Sequence, residues 1–452
     1  MSLSGYGFYT RELLSLARQV TSSSGTQGGS DAHAALNGQA SAQLRRLVPL
    51  SQRRDMGAFF TSGDVRHRFA SLLEDNTKQA AHTKYWDPAC GAGDLLLAAA
   101  AALPVRATLR ETLSLWGSTL RGSDVEPDFV EAARLRLFIA AALRHSEAKA
   151  KADVDVDRGV RAFRSLRVED GLAALRRTRG FRGHLLMNPP YGSVLADRDC
   201  DWAQGSTSQA AFFALDGVRA LAVGSGFSAI LPDVLRSGSR YEDWRSRMDA
   251  TVITHEITPY GRFDPYTDVD VFLVSGIRRH RNSPSNGPTS RWWQEMAAEG
   301  RLGDYFAVNV GPVVDNRSPH SGPVVPFLTA RDLPASGVTG APSRRRQFEG
   351  RLTQPPFVAL RRTSRPGQGR GGSTRAAGVM ITGDSPIAVD NHVITAKPHS
   401  GAEMDCLGLL KVLDDPETNE WLDQRIRCRH LTVGVVRAFP WPPSAPRTAL
   451  RT

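Results

Sequence analysis

Tyr85-Trp86-Asp87-Pro88-Ala89-Cys90-Gly91-Ala92-Gly93, followed by the apolar run Asp94 to Leu103, decides the fold class of this 452-residue chain. Two aromatic residues form a short strand that stops at Asp87-Pro88. Two glycines make the turn, and the alanine- and leucine-rich run after them is helical. Strand, glycine turn and helix in that order let backbone amides approach a ligand closely, because glycine puts no side chain in the way. The turn has no Lys-Ser/Thr ending, which argues against a nucleoside triphosphatase. The position three beyond Gly93 is Leu96 rather than glycine, which argues against a dehydrogenase on a similar sheet.

The same alternation continues outward. Leu120 to Ser123 reads as a strand ending at Asp124. Residues 128–147 form a helix with Phe129, Ala133, Leu137 and Ala141 at helical spacing. His184 to Met187 is a compact buried strand, 207–222 an apolar helix, and Phe227 to Leu231, Thr251 to Ile257 and Asp270 to Val274 are further strands. This texture predicts an α/β, doubly wound, Rossmann-like sheet over 55–280. Upstream, helices over 4–18 and 31–47 flank a Ser/Gly/Thr-rich loop and form an N-terminal cap, residues 1–54. After 276 the texture changes. A polar stretch at 278–290 reads as a linker. Short strands at 357–361, 378–382 and 392–396 and helices at 403–413 and 417–426 predict an α+β domain over 281–452.

Composition narrows the class. With 41% hydrophobic and 23% charged residues the chain is globular rather than disordered. Its formal charge of +11, from 57 Lys+Arg against 46 Asp+Glu, suits a polyanion partner. The cysteines Cys90, Cys200, Cys406 and Cys428 form no C-x-x-C pair, and the start of the chain lacks an apolar signal-type core. No apolar run reaches the roughly 18 residues of a membrane span. The expectation is a soluble cytoplasmic protein with no membrane partner.

Three polar edges surround the glycine turn. Asp124, at a strand end, suits a ribose diol, and Glu169-Asp170 suits an adenine amino group. The third is Asn188-Pro189-Pro190-Tyr191, directly after the strand 184–187. Two prolines stiffen that turn. The Asn188 side-chain oxygen and the Pro189 carbonyl can accept the hydrogens of an exocyclic or amide nitrogen, and Tyr191 offers an aromatic face. Two such acceptors draw a conjugated nitrogen toward tetrahedral geometry and stabilise the positive charge that grows on it as it attacks a methyl group. No metal is required, and no His-Glu-x-x-His pattern is present.

Taken together, these motifs resemble the N6-adenine DNA methyltransferases, in the group whose catalytic domain precedes a target recognition domain. The resemblance covers roughly 55–275. It implies a class I S-adenosylmethionine-dependent methyltransferase fold with S-adenosylmethionine as cofactor. Gly57-Ala58-Phe59-Phe60-Thr61-Ser62 is similar to the family's N-terminal cofactor motif, so Thr61 would contact the methionine part. Asp87, Ala89 and Gly91 would border the cofactor, Asp124 would hold the ribose hydroxyls with Val125 against the adenine, and Asp170 would bind the adenine amino group. Asn188, Pro189, Pro190 and Tyr191 resemble the catalytic motif, with Tyr191 stacking on a flipped base. Phe263, in Gly-Arg-Phe-Asp before the strand at 270–274, resembles the aromatic on the base's other face, with Tyr266 as its rival. From 300 onward the likeness is diffuse, carried by Asn391-His392-Val393, Leu407 to Leu413 and Leu431 to Pro440. Ser62 stands where the family has proline and Asp94 where it has an apolar or aromatic residue, and 104–119 reads as an insertion.

Between 341 and 380 lie nine Arg and one Glu, with no Lys or Asp. In a DNA enzyme Arg344, Arg345, Arg346, Arg361, Arg362, Arg365 and Arg370 become phosphate-contact candidates, and arginine also reads guanine edges. The implied partner is double-stranded DNA, with a restriction enzyme or accessory defence subunit beside it. Competing readings are a methyltransferase acting on a protein glutamine or on RNA, and a methyltransferase-like DNA-binding subunit. Glu256 is a charge in an apolar strand, facing either the site or an edge. Cys90, His67, His255 and His392 read as structural or surface residues.

Overall fold

The structure, a computed structural model, describes residues 5–22, 27–61, 63–77, 84–147, 154–264, 266–280, 292–293, 300–315, 317–363, 375–426 and 431–441. The chain divides into two compact units, residues 1–235 with 240–291, and residues 236–239 with 292–452.

The first unit opens with five helices, α1 (Gly7–Ser22), α2 (Gln27–Leu36), α3 (Gln39–Leu47), α4 (Leu50–Met56) and α5 (Gly63–Thr77). Where one helix was expected over 31–47 there are two. The chain breaks at Asn37-Gly38, because Gly38 takes φ 87°, which ends one helix and starts the next. Then follow β1 (Tyr85–Asp87), α6 (Asp94–Ala101), α7 (Leu109–Thr119), β2 (Leu120–Asp124), α8 (Pro127–Glu147), α9 (Val156–Val160), β3 (Leu166–Val168), α10 (Gly171–Arg177) and β4 (His184–Met187). The stretch 104–119 holds α7, opened by a capping box between Thr108 and Glu111. A small ribbon, β5 (Ser193–Leu195) and β6 (Ser206–Ser208), leads into α11 (Gln209–Ala220) and β7 (Gly226–Pro232). After α12 (Asp233–Ser237) and α13 (Glu242–Thr251), a long hairpin of β8 (Val252–Asp264) and β9 (Thr267–Arg278) completes the sheet.

The strand order is β3-β2-β1-β4-β7-β9-β8. The first five strands are parallel, and β9 runs antiparallel to both β7 and β8. The reversal between β1-β2-β3 on one side and β4-β7 on the other makes a crevice beyond the strands' C-terminal ends, where α/β sheets bind ligands. Tyr85 to Asp87 and His184 to Met187 are buried throughout, as parallel strands covered on both faces must be. The N-terminal helices share this core. The Tyr6 ring meets Phe129 edge-on at 4.9 Å, and Phe129 meets Phe60 at the same distance. The buried Arg136 of α8 donates to the Ala35 carbonyl at 2.9 Å and the Ala92 carbonyl at 2.5 Å, and pairs with Asp94 at 2.8 Å.

The second unit begins with β10 (Gly300–Arg301), α14 (Leu302–Tyr305) and β11 (Phe306–Val310). It continues with β12 (Val324–Leu328), β13 (Gly337–Thr339), β14 (Arg345–Gln347), β15 (Phe357–Arg361), β16 (Gly378–Ile381), β17 (Ala388–Val389) and β18 (Val393–Pro398). It ends with α15 (Glu403–Asp414), α16 (Pro416–Arg425), α17 (Val433–Arg437) and β19 (Pro440–Trp441). One sheet runs β11-β18-β15-β16-β13, a second β14-β12-β17, and β10 pairs with β19. Leu409 and Leu413 of α15 lie in one core with Leu360, Ile394, Trp421 and Phe439. Among the described residues no helix is long and apolar enough to cross a membrane, and no group of three His, Cys, Asp or Glu side chains could hold a metal.

Candidate active site

One cavity of the first unit gathers most of the residues singled out from the sequence. Gly57, Ala89, Gly91, Asp124, Val125, Asp170, Asn188 and Pro190 line it. Asp87, Pro189 and Thr61 stand behind that wall, buried. Gly57 and Thr61 come from the segment between α4 and α5, and the others from the C-terminal end of a strand or the residues just after it: β1 supplies Asp87, β2 Asp124 and β4 Asn188.

Asp87 and Asp124 shape the turn. Asp87 accepts from the Ala89 amide at 3.1 Å. Asp124 takes the Gly91 amide on one oxygen at 2.9 Å and the Glu126 amide on the other at 3.0 Å. Gly91 sits at φ 48°, and a Cβ there would meet the Phe60 ring at 2.7 Å. Only glycine lets that ring close over the loop. Burial, opposed by the Ala89 hydrogen bond, pushes the Asp87 pKa up to about 8. Burial likewise lifts Asp124 to about 6, against the pull of the backbone amides of Glu126, Gly91 and Val125. Val125 beside it is 60% exposed, an apolar face at the cavity mouth with nothing over it. Asp170 caps α10 by accepting from the Ala173 amide at 3.1 Å. Its neighbour Glu169 accepts from Ser123 at 2.9 Å.

Asp94 is explained by the same loop. It is buried and paired with Arg136, whose guanidinium also holds the Ala92 carbonyl. The carboxylate balances a cation that ties the glycine turn to α2.

Asn188 is held with a defined orientation. Its Nδ2 donates to Thr61 Oγ1 at 2.9 Å and to the Phe59 carbonyl at 3.4 Å. The Oδ1 atom is thereby fixed on the opposite side, where it accepts the Tyr191 hydroxyl at 2.7 Å. The segment 57–61 packs tightly on this turn: a Cβ on Gly57, at φ 62°, would meet Pro190 Cβ at 2.6 Å. Thr61 thus touches Asn188 directly, a contact that spacing in the sequence could not reveal. Ser62 lies outside the described residues.

Phe263 belongs to β8 itself rather than to a loop before the next strand, and is 1% exposed. It packs edge-on against Tyr191, with centroids 5.6 Å apart and planes at 81°. Tyr266 is 69% exposed and carries the Arg45 guanidinium over its ring at 4.4 Å. Glu256 lies on β8, the edge strand of the sheet, at a bulge, and accepts the Thr258 hydroxyl. Cys90 is buried, and burial raises its thiol pKa well above the usual value. His67, His255 and His392 are exposed.

Other wall residues escaped the sequence reading: Phe60, Phe129, and Gln209 with Phe213 of α11. The last two are four apart on a helix, so they share a face. That spacing was visible, but which neighbour the face meets was not.

The arginines of the second unit divide. Arg346 is buried, pairs with Asp315 at 2.5 Å and donates to the Ser318 carbonyl at 2.7 Å. Arg361 donates to the Ala330 and Leu333 carbonyls, and Arg362 to the Asn391 carbonyl. Arg346 is buried and Arg361 and Arg362 are half-buried, and all three spend guanidinium donors on carbonyls of the fold. Arg344 is exposed beside Asp332 at 3.4 Å, and Arg345 is exposed. Arg365 and Arg370 lie outside the described residues.

No family model matches the chain, and no curated protein matches it. Among solved structures, the type IIL restriction-modification enzyme MmeI in complex with DNA aligns over 90% of this chain and 71% of its own, with a TM-score of 0.53 and 12% identity. The type IIG restriction endonuclease BpuSI aligns over 89% of this chain with a TM-score of 0.46 and 12% identity, and this chain spans 61% of it. The M protein of the type I restriction enzyme EcoKI aligns over 60% of this chain and 67% of its own, with a TM-score of 0.33 and 10% identity. The likeness is one of fold. The first unit has the Rossmann-like α/β fold, and the second is a separate unit of mixed helices and sheets.

Proposed function

We propose that the chain is a site-specific DNA adenine-N6 methyltransferase of a restriction-modification or related defence system. The observation that carries this reading is the Asn188 amide, fixed by Thr61 and Phe59 so that its oxygen is the acceptor on offer, beside a cavity ringed by Asp124, Gly91, Val125 and Asp170. That set fits S-adenosylmethionine. A carboxylate suits the ribose diol, an uncovered valine suits a flat purine, and a second carboxylate suits its amino group. The cluster of acids whose pKa values burial raises also welcomes a cationic ligand. When bound, the cofactor supplies a methyl group on an electrophilic sulfonium.

The protein's work is positional. Asn188 Oδ1 and the Pro189 carbonyl would accept the two N6 hydrogens of an adenine turned out of the duplex, which a base inside the stack cannot reach. They would steady the positive charge growing on nitrogen as it bonds to the methyl carbon, until one N6 proton leaves to solvent. Arg344 and Arg345 are the outward-facing phosphate contacts of this reading. Double-stranded DNA is the partner, with a restriction enzyme or accessory subunit alongside.

A flat base held between two aromatic faces needs about 7 Å between them, twice the carbon–carbon contact distance. Tyr191 and Phe263 stand at 5.6 Å and nearly perpendicular, with the Tyr191 hydroxyl on the acceptor the base would use. The Tyr191 ring must therefore swing before a base enters. Tyr191→Phe keeps the ring and removes the competing hydroxyl, so its KM for DNA is expected to fall by about twofold or more with kcat little changed. Tyr191→Ala removes the stacking face and is expected to raise KM by about tenfold or more. Steady-state kinetics on duplex DNA check both.

Sequencing methylated bases in cells with and without the chain tests the reading. The expected result is N6-methyladenine gained at one sequence motif. Labelled methyl recovered instead in protein or RNA, with purified chain offered all three substrates, would overturn it.

A further inference from the structure

Arginines recur at every third position in Arg158-x-x-Arg161-x-x-Arg164-x-x-Arg167, across α9, the turn after it and β3. All four are exposed. None of their guanidinium groups makes a hydrogen bond or ion pair among the described residues. This sets them apart from nearby arginines that serve the fold. Arg176 is held by Asp197 and Asp216, Arg144 by the Ala100 carbonyl, and Arg134 by Glu131 and the Leu166 carbonyl.

Arg158, Arg161 and Arg164 line a cleft of about 420 Å³ with Arg110 of α7, over a floor that includes Ser114 and Ser165. Among the described residues no carboxylate lines it. Glu131 and Asp157 open instead on the neighbouring groove, which shares Arg161 and Arg164. The floor is tight because α7 and the turn at 161–163 touch through glycine: a Cβ on Gly117 would lie 2.1 Å from the Ala162 carbonyl oxygen. The four cations are thus carried on packed elements rather than on loose chain. Arg158, Arg161 and Arg164, none of which makes an ion pair among the described residues, repel one another when gathered, and a polyanion relieves that repulsion.

We infer that this cleft binds the phosphodiester backbone of a nucleic acid, at a place separate from the methyl-transfer site. Ser118 and Ser165 stand just before β2 and β3, whereas Asp124 and Glu169 stand at or just past the other ends of those strands. A duplex seated here is therefore not the stretch that presents a base to Asn188. Guanidinium groups with serine hydroxyls are phosphate-binding chemistry. Without base-reading pockets the contact is independent of sequence.

The test uses the full chain and a duplex built only of G·C pairs, which contains no adenine, so the result does not depend on the base that is methylated. Fluorescence anisotropy is read from about 50 to about 200 mM salt. Each phosphate contact contributes about 0.9 to the slope of log K against log salt. In R158Q/R161Q/R164Q the slope is expected to shrink by about 2 to 3, with affinity at the lowest salt down by about tenfold or more. R158K/R161K/R164K keeps the charges and is expected to restore most of the slope. Unchanged S-adenosylmethionine affinity and melting temperature would show the triple variant folded. Wild-type duplex affinity and slope in a folded triple variant would overturn the inference. So would loss of polyglutamate binding with duplex binding intact, which would mark the cleft as a site for an acidic protein.

Discussion

Asn188→Ala is expected to lower the rate of methyl transfer by about two to three orders of magnitude, the range found when one preorganised partner of a developing charge is removed. Cofactor affinity should stay within about threefold of wild type, because the substitution leaves Asp124, Gly91 and Asp170 in place. Single-turnover transfer and a separate cofactor titration read the two quantities apart. Thr61→Val makes a sharper companion. It keeps the volume and removes the oxygen that accepts Asn188 Nδ2 at 2.9 Å. The amide can then flip and present its nitrogen where an acceptor is needed, so transfer should slow by about tenfold, with Thr61→Ser restoring it. Full activity of Asn188→Ala on a duplex carrying the methylated motif would remove the basis of the proposed chemistry.

Asp124→Asn is expected to change the pH dependence of stability and the affinity for cofactor. Its carboxylate has a pKa of about 6 in the cofactor-free fold, raised by burial above the ordinary aspartate value. The folded protein therefore binds more protons at this site than the unfolded chain does between about pH 4 and 6. By linkage, the site's contribution to stability is fully present at low pH and is lost as pH rises through about 6. A neutral asparagine removes this titration but can accept from only one of the Gly91 and Glu126 amides, so the variant's melting temperature should be lower and should vary less between about pH 4 and 6 than the wild type's. Cofactor affinity should drop about ten- to hundredfold, the loss of hydrogen bonds to a charged acceptor. For wild type, affinity should also weaken as pH falls below about 6, where Asp124 takes up its proton. Calorimetric titration across pH 5 to 8, with thermal melts of both proteins, checks this. A variant that binds cofactor as tightly as wild type would separate Asp124 from the ribose role.

The parts of the site that were legible in the sequence are those set by a few consecutive residues. Tyr85 to Gly93 reads as strand and turn because its aromatic pair, proline and glycines act locally. Asn188 to Tyr191 reads as a stiff turn for the same reason. The strands at 357–361 and 378–381 are apolar runs bounded by polar or glycine-containing turns, and they too could be read from the chain. What could not be read depends on partners far away in sequence. Phe263 looks like a loop aromatic until the bulged β8–β9 hairpin carries strand geometry past it and buries it on Tyr191. Arg346 looks like a phosphate contact until Asp315 and the Ser318 carbonyl are found around it. Asp94 looks like a departure from a motif until Arg136, 42 positions on, arrives at its carboxylate.

That last pair has a practical consequence for trimming the protein. Arg136 is fully enclosed, and two of its acceptors, the Ala35 and Leu36 carbonyls, come from the end of α2. A fragment begun at residue 55 would strip those oxygens from an enclosed cation and uncover Phe60 and Phe129, on which Tyr6 packs, leaving the glycine turn tethered to a charge with too few partners. Residues 56–60 line the cavity, and α2 supplies acceptors to the cation that holds its glycine turn, so any shortened version meant to keep that cavity has to retain α2.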